Sequence, residues 1–181
     1  MIITISGIPG SGKSTVGKVL AEKLKYQYLS MGDMRGEIAK RHNITIDELN
    51  KIGETEAWTD KEIDDYQKNL GQTGDNLVVE GRLSFHFIPH SYKVFLDVHT
   101  TEAARRALKS RAQRLDEKLP ETIEETEKQL LKRLESDKAR YQKYYQVDYD
   151  APANFDLFLN TTNLSIQEVV DIILDKIKAL R

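Results

Sequence analysis

The sequence predicts an α/β fold in which a five-stranded parallel sheet lies between layers of helices. Short, continuous apolar runs alternate with longer stretches of helical periodicity, which is how strands covered on both faces and their crossover helices read. A glycine-rich turn joins the first apolar run directly to the first helical stretch. The 181 residues, 39 % hydrophobic and 31 % charged, suffice for one domain, residues 1–181, with its own core and no disulfide or structural metal.

The elements follow in order. Ile2–Ser6 reads as the first strand, and Val16, Val19, Leu20 and Leu24 mark one face of the first helix. Gln27–Ser30 is a weaker strand. Residues 31–75 are helical, polar and strand-free, punctuated by Asn43 and Gly53 and closed by Gly71 and Gly74, so they read as a flap. Within it, Thr59 with Glu62 predicts a capping box before Ile63, Tyr66 and Leu70. Leu77–Glu80 and Val94–Val98 are the third and fourth strands. A basic helix carrying Arg105, Arg106, Lys109, Arg111 and Arg114 leads to a second, short flap at 111–121, with Pro120 near its end. Leu130, Leu131, Leu134, Tyr141 and Tyr145 trace an apolar stripe along Glu121–Tyr145. Asp156–Asn160 is the last strand, and Ser165 with Glu168 caps a final helix bearing Val169, Ile172, Ile173 and Ile177.

Composition excludes several classes. With 27 Lys and Arg against 29 Asp and Glu, a formal charge of −2, no general polyanion binder is expected and no nucleic-acid partner. Without cysteine there is no disulfide, thiolate nucleophile or cysteine-bound zinc. The longest apolar stretches run to about five residues, against the ~20 of a membrane helix. A strand opening at Ile2 leaves no room for a cleaved leader. A cytoplasmic monomer is the expectation.

Gly7-Ile8-Pro9-Gly10-Ser11-Gly12-Lys13-Ser14-Thr15 has the G-x-x-x-x-G-K-S spacing of a phosphate loop. Its glycines let successive backbone N–H groups turn inward on a phosphate, and the helix that follows adds its positive end. Lys13 then reaches the outer phosphates, and the Ser14 hydroxyl suits magnesium. The chain has no N-K-x-D stretch with which a GTPase reads guanine, and it is too small for a motor domain. Two short flaps on a small α/β core suit phosphoryl transfer to a small acceptor.

Four stretches carry a resemblance: I-S-G-I-P-G-S-G-K-S-T at Ile5–Thr15, S-M-G-D-M-R at Ser30–Arg35, V-V-E-G-R-L-S at Val78–Ser84 and R-L-E-S-D-K-A-R-Y at Arg133–Tyr141. Together they resemble nucleoside monophosphate kinases, and most of all the short cytidylate kinases common in archaea. The likeness spans nearly the whole chain, to Asn160–Val170. It implies a three-layer P-loop kinase fold, with 31–75 as the acceptor-binding flap and 111–121 as a short lid. The implied reaction passes the γ-phosphoryl of magnesium-bound ATP to CMP or dCMP. The alternatives are a kinase for AMP, UMP or a non-nucleotide acceptor, and a regulatory module that binds ATP without transferring it.

Residues at the carboxyl ends of the strands are read for ligand contacts first. Asp33 and Arg35 follow the second strand and are candidates for the acceptor; alternatively Asp33 only complements the dipole of a helix begun at Ser30 or Gly32. Related kinases carry G-D-x-x-R here, whereas this chain has Gly36 at the arginine's place and Arg35 one residue early, a turn of ~100° on a helix. A second departure is Asp64-Asp65-Tyr66, where the short cytidylate kinases have an aspartate followed by arginine. Glu80 ends the third strand and is expected to hold magnesium through water, with Asp97 a second candidate; Arg82 is expected to face the acceptor phosphate, the alternative being a surface arginine after an edge carboxylate. Gly81 is expected to let the backbone approach a ligand closely. Arg133, Asp137 and Arg140 share one face of the long helix. The resemblance gives that face to the acceptor, and the alternative is a solvated ion-pair ladder worth ~0.3–0.5 kcal/mol per pair. Arg106 matches a lid-helix arginine, which joins it to Lys13 and Arg82 as a catalytic candidate. Arg111 and Arg114 suit either a ligand or a helix end. In Ser84–His90, Pro89 interrupts any helical zinc pair of His86 and His90, so its aromatics are expected to pack or to stack on a base.

Overall fold

In the computed structural model, which describes residues 1–110 and 122–180, five strands form one parallel sheet. They are β1 (Ile2–Gly7), β2 (Gln27–Ser30), β3 (Leu77–Glu80), β4 (Tyr92–Asp97) and β5 (Leu157–Asn160), in the spatial order β2-β3-β1-β4-β5. Alternation along each strand builds two cores. Ile3, Ile5, Val78, Val94 and Leu96 face α1 (Lys13–Leu24) and α8 (Ile166–Lys178) through Val16, Leu20, Val170 and Ile173. On the opposite face, Ile2, Leu77 and Val79 meet α2 (Met31–Arg41), α3 (Ile46–Gly53) and α4 (Trp58–Thr73) through Met31, Ile38, Leu49 and Ile63. Beside them, α5 (Ser84–Phe87), α6 (Thr100–Ser110) and α7 (Ile123–Tyr145) close over Phe95 through Phe85, Phe87, Ala103 and Tyr141.

The parallel register brings the strand ends into line. Ser30 pairs with Glu80 and Glu80 with Ile5, while Gly7 pairs with Leu96 and Asp97 with Asn160. The turn after β1 therefore lies between the ends of β3 and β4, where chain order reverses and ligands of such sheets bind.

Three local expectations are corrected. Helix α4 begins at Trp58 with Ala57 as its N-cap, and no side chain caps it. Thr59 lies inside the helix, fully buried, with its hydroxyl donating to the Glu56 carbonyl at 3.2 Å. The reciprocal boxes sit instead at Thr45 with Glu48 on α3 and, as the spacing predicts, at Ser165 with Glu168 on α8. Leu131 is exposed, while Leu130, Leu134, Tyr141 and Tyr145 pack inward. The short lid expected at 111–121, with Arg111 and Arg114, lies outside the described residues.

Candidate active site

The loop after β1 turns on glycines at positive φ: Gly10 at 79° and Gly12 at 90°. A Cβ on Gly10 would lie 2.7 Å from the Ala103 carbonyl oxygen, so α6 also fixes that residue from outside. Gly12 stands at the head of α1 without a side-chain cap, leaving the helix's first N–H groups to the loop's concave side. Lys13 folds back across this loop and donates to the Ile8 carbonyl at 2.8 Å. Ser11 is buried, and its hydroxyl has no hydrogen-bond partner among the described residues.

Glu80 is the oxygen hub beside the loop. It is buried, and its Oε2 accepts from Ser30 at 3.0 Å, Tyr28 at 3.2 Å and Ser14 at 3.3 Å. Tyr28 and Ser30 stand two residues apart on β2 and so point to the same face. Burial, then the Glu80 charge, raises the Tyr28 phenol above its ordinary range, so it remains a donor. Among the described residues no group of three or more His, Asp or Glu is placed to hold a metal by itself. A hydroxyl and a carboxylate 3.3 Å apart at a phosphate loop nevertheless fit magnesium, which prefers oxygen and keeps waters and substrate phosphates as its other ligands.

A chain of largely buried charge runs from the turn after β3 into the flap. Arg82 donates to Asp137, Asp137 accepts from Arg140 at 3.1 Å, and Arg140 lies 3.8 Å from the Asp60 carboxylate. Asp60 also accepts from Arg35, whose Nε donates to Asn50 at 2.9 Å. The side chains of Asp137 and Arg140 are 5 % and 4 % exposed, which removes the solvated-ladder alternative for these two. Burial, with Arg140 among the opposing charges, holds Arg35 below the ordinary arginine range. Arg35 thus points into the interior from α2. A Cβ on Gly36 would instead face Ile46 at 3.7 Å, toward α3.

The remaining candidates are placed differently. Asp33 is exposed in the first turn of α2, where its N–H donates to the Ser30 N-cap. Arg133 is exposed, one turn before Asp137 on α7. Arg106 donates to Glu102 and to the Thr161 and Thr162 carbonyls, tying α6 to the turn after β5. The Thr161 hydroxyl in turn reaches the Ser11 carbonyl at 3.3 Å, so this tie ends on the phosphate loop. Asp97 accepts from Asn160 at 3.2 Å. Gly81 is required for protein packing: its Cβ would fall 2.3 Å from the Ser84 hydroxyl and 2.8 Å from Met31. Phe85 and Phe87 are buried aromatic packing, and His86 stacks edge-on to Phe87.

Sequence reasoning missed Tyr28, Asn50 and Asp60. Tyr28 carried a signal, since it alternates with Ser30 on a strand that ends beside Glu80. Asp60 carried a fainter one, lying one turn before Asp64 on the same face of α4. Asp64 itself accepts from Tyr145 of α7 at 2.6 Å, and burial pushes its carboxyl up to about 6.

The model of the cytidylate kinase-like family matches residues 2–163. The cytidylate kinase of Halobacterium salinarum is 36 % identical over 182 residues, covering 99 % of this chain and 90 % of that one. That of Archaeoglobus fulgidus is 35 % identical over 179 residues, covering 98 % and 95 %. In structure, shikimate kinase from Bacteroides thetaiotaomicron superposes with a TM-score of 0.62 over 98 % of both chains at 19 % identity, a likeness of fold alone. Among the described residues no helix is long and apolar enough to cross a membrane. The phosphate loop at the reversal point of a parallel sheet, and relatives alike from end to end, lead to one assignment: the chain belongs to the cytidylate kinase-like family and is an enzyme of the nucleoside monophosphate kinase type.

Proposed function

We propose that the protein transfers the γ-phosphoryl group of ATP to CMP or dCMP, giving ADP and the corresponding diphosphate, in the cytoplasm. The observation that carries the reading is the largely buried chain Arg35–Asp60–Arg140–Asp137–Arg82, which gathers three guanidiniums between the turn after β3 and the flap. Arginines suit the planar recognition of phosphate. The archaeal relatives named as cytidylate kinases support cytidine as the base.

In this reading the backbone of Gly7–Thr15 cradles the phosphates of ATP, and Lys13 exchanges the Ile8 carbonyl for an outer phosphate oxygen. Magnesium, held by the Ser14 hydroxyl and through water by Glu80, would supply neutralising charge at the β- and γ-phosphates. Arg82, Arg35 and Arg140 hold the acceptor phosphate, with Asp137 orienting two of them and Arg133 and Asp33 meeting the acceptor from the exposed rim. An acceptor oxygen then attacks the γ-phosphorus in line while the bond to the bridging oxygen breaks. No strong general base is needed, because the acceptor phosphate is already an anion. Positioning and electrostatics do the catalysis. Arg106 acts from α6, through Thr161 and the phosphate loop it supports. Residues 31–75 and 111–121 serve as flap and lid of one domain, and their closure excludes water.

ADP release measured against CMP, dCMP, UMP, AMP and shikimate tests the proposal. CMP or dCMP should give the highest kcat/KM. A preference for AMP, UMP or shikimate, or ATP binding with no acceptor-stimulated release, overturns it.

A further inference from the structure

We propose that Asp60 is the positioning residue that aims Arg35 and Arg140 at a single acceptor phosphate, a role that rests on the acceptor reading above. The two arginines come from opposite sides of the site, Arg35 from α2 in the flap and Arg140 from α7 in the body. Arg140 is buried at 4 % exposure and Arg35 mostly so at 12 %, where like charges repel more strongly than in water. Asp60 lies between them on α4. One carboxylate oxygen accepts from Arg35, while the other lies 3.8 Å from Arg140 Nη1, close enough to neutralise it and too far to hydrogen-bond. Arg35 Nη2 and Arg140 Nε are both buried and hydrogen-bond to nothing among the described residues. Each arginine therefore keeps a donor in hand on a common carboxylate.

Two further observations point to a ligand rather than to a plain staple. Among the described residues, Arg35, Arg82 and Arg140 make their ion pairs with Asp60 and Asp137, three guanidiniums on two carboxylates. The end of α3 is also bare where the guanidiniums lie. A Cβ on Gly53 would fall 2.8 Å from Arg140 Nη1 and 3.4 Å from Arg35 Nη2. A glycine and a shared carboxylate thus let two cations approach one another, and an anionic phosphate offers a partner to the donor each still holds.

Asp60→Asn keeps the shape and removes the charge. It should raise the KM for CMP about tenfold or more while the KM for ATP stays within about twofold. Asp65→Asn, exposed on the same helix and paired with Lys61 and Lys68, should change neither. In an Arg35→Gln background one of the two repelling cations is already gone. There Asp60→Asn should add less than the product of the two single effects. Gly53→Ala perturbs the same pair without touching charge and should also raise the CMP KM selectively, which keeps the test open if Asp60→Asn does not fold. A plain staple between α4 and α7 would lower the melting temperature and move both KM values alike or neither, and that result overturns the proposal. Turnover by the wild type with an unmoved CMP KM in both variants sinks this inference alone. A wild type without CMP-stimulated ADP release sinks the proposed function and this inference with it.

Discussion

Asp137→Ala removes the carboxylate on which helix α7 meets the turn after β3. Its side chain is 5 % exposed and serves two guanidiniums, Arg82 and Arg140, of which Arg140 is itself 4 % exposed. Without it Arg82 loses its ion-pair partner among the described residues, and Arg140 is left with the Asp60 carboxylate 3.8 Å away. Taking one partner out of a buried pair costs about 3–5 kcal/mol, because the surviving charge stays desolvated. At roughly 2–4 °C per kcal/mol for a chain of this size, the melting temperature should fall by roughly 6–20 °C. A domain stable by about 8 kcal/mol or more, within the usual range of about 5–15, remains folded at assay temperature. Glu135→Ala, exposed two residues away on α7, is the control and should stay within about 0.5 kcal/mol of wild type. Thermal unfolding by circular dichroism reads the stability, and CMP and ATP titrations of ADP release read the function. Acceptor KM should rise by more than about tenfold with ATP KM nearly constant. If Asp137→Ala melts with Glu135→Ala and binds CMP normally, the buried pair holds neither the fold nor the acceptor, and the acceptor face has been placed on the wrong residues.

Lys13→Ala should leave the melting temperature nearly unchanged but cost at least ~10²-fold in transfer rate, about 2.7 kcal/mol; near-normal turnover in a folded variant refutes the phosphate-loop role. Arg35→Ala should raise acceptor KM roughly 10–150-fold, the worth of a charge-assisted bond of ~1.5–3 kcal/mol. Adding Gly36→Arg should not restore it, since position 36 faces Ile46 rather than Asp60; a full rescue would show that the clamp belongs at 36. Asp64 supplies a pH test. Burial raises its folded carboxyl to about 6, so between about pH 4 and pH 6 the folded protein keeps a proton that the unfolded chain has released. This group's contribution to stability is therefore lost as pH rises through that window. Asp64→Asn, which still accepts from Tyr145, should melt higher than wild type above about pH 6, with the difference closing toward about pH 4; parallel melting curves across that range would exclude it.

The parts of this protein legible in its sequence are those whose physics is local. A phosphate loop must be contiguous, must have glycine where φ turns positive and must sit between a strand and a helix, so nine adjacent residues disclose it. Buried parallel strands disclose themselves by unbroken apolar runs, and Ser165 with Glu168 by a spacing that closes on itself. The start of α4 failed because Thr59 had an alternative that only packing reveals: it is buried against Gly53, one residue inside a helix that begins uncapped. The acceptor face shows the limit most clearly. Arg133, Asp137 and Arg140 share one side of a helix, and periodicity can say no more than that. Yet the seven helical steps from Arg133 to Arg140 advance about 10 Å along the axis. Over that distance α7 passes from solvent to the space under the flap. Only Asp137 and Arg140 therefore find Arg82 and Asp60, whose positions depend on how α4 docks rather than on anything near them in the chain. The displaced Arg35 belongs to the same case. Counted along the chain it is one residue out of place, but the direction of α2 turns that place inward and sends Gly36 toward Ile46. An arginine's task is set by where its helix points, and α2 points position 35 at Asp60.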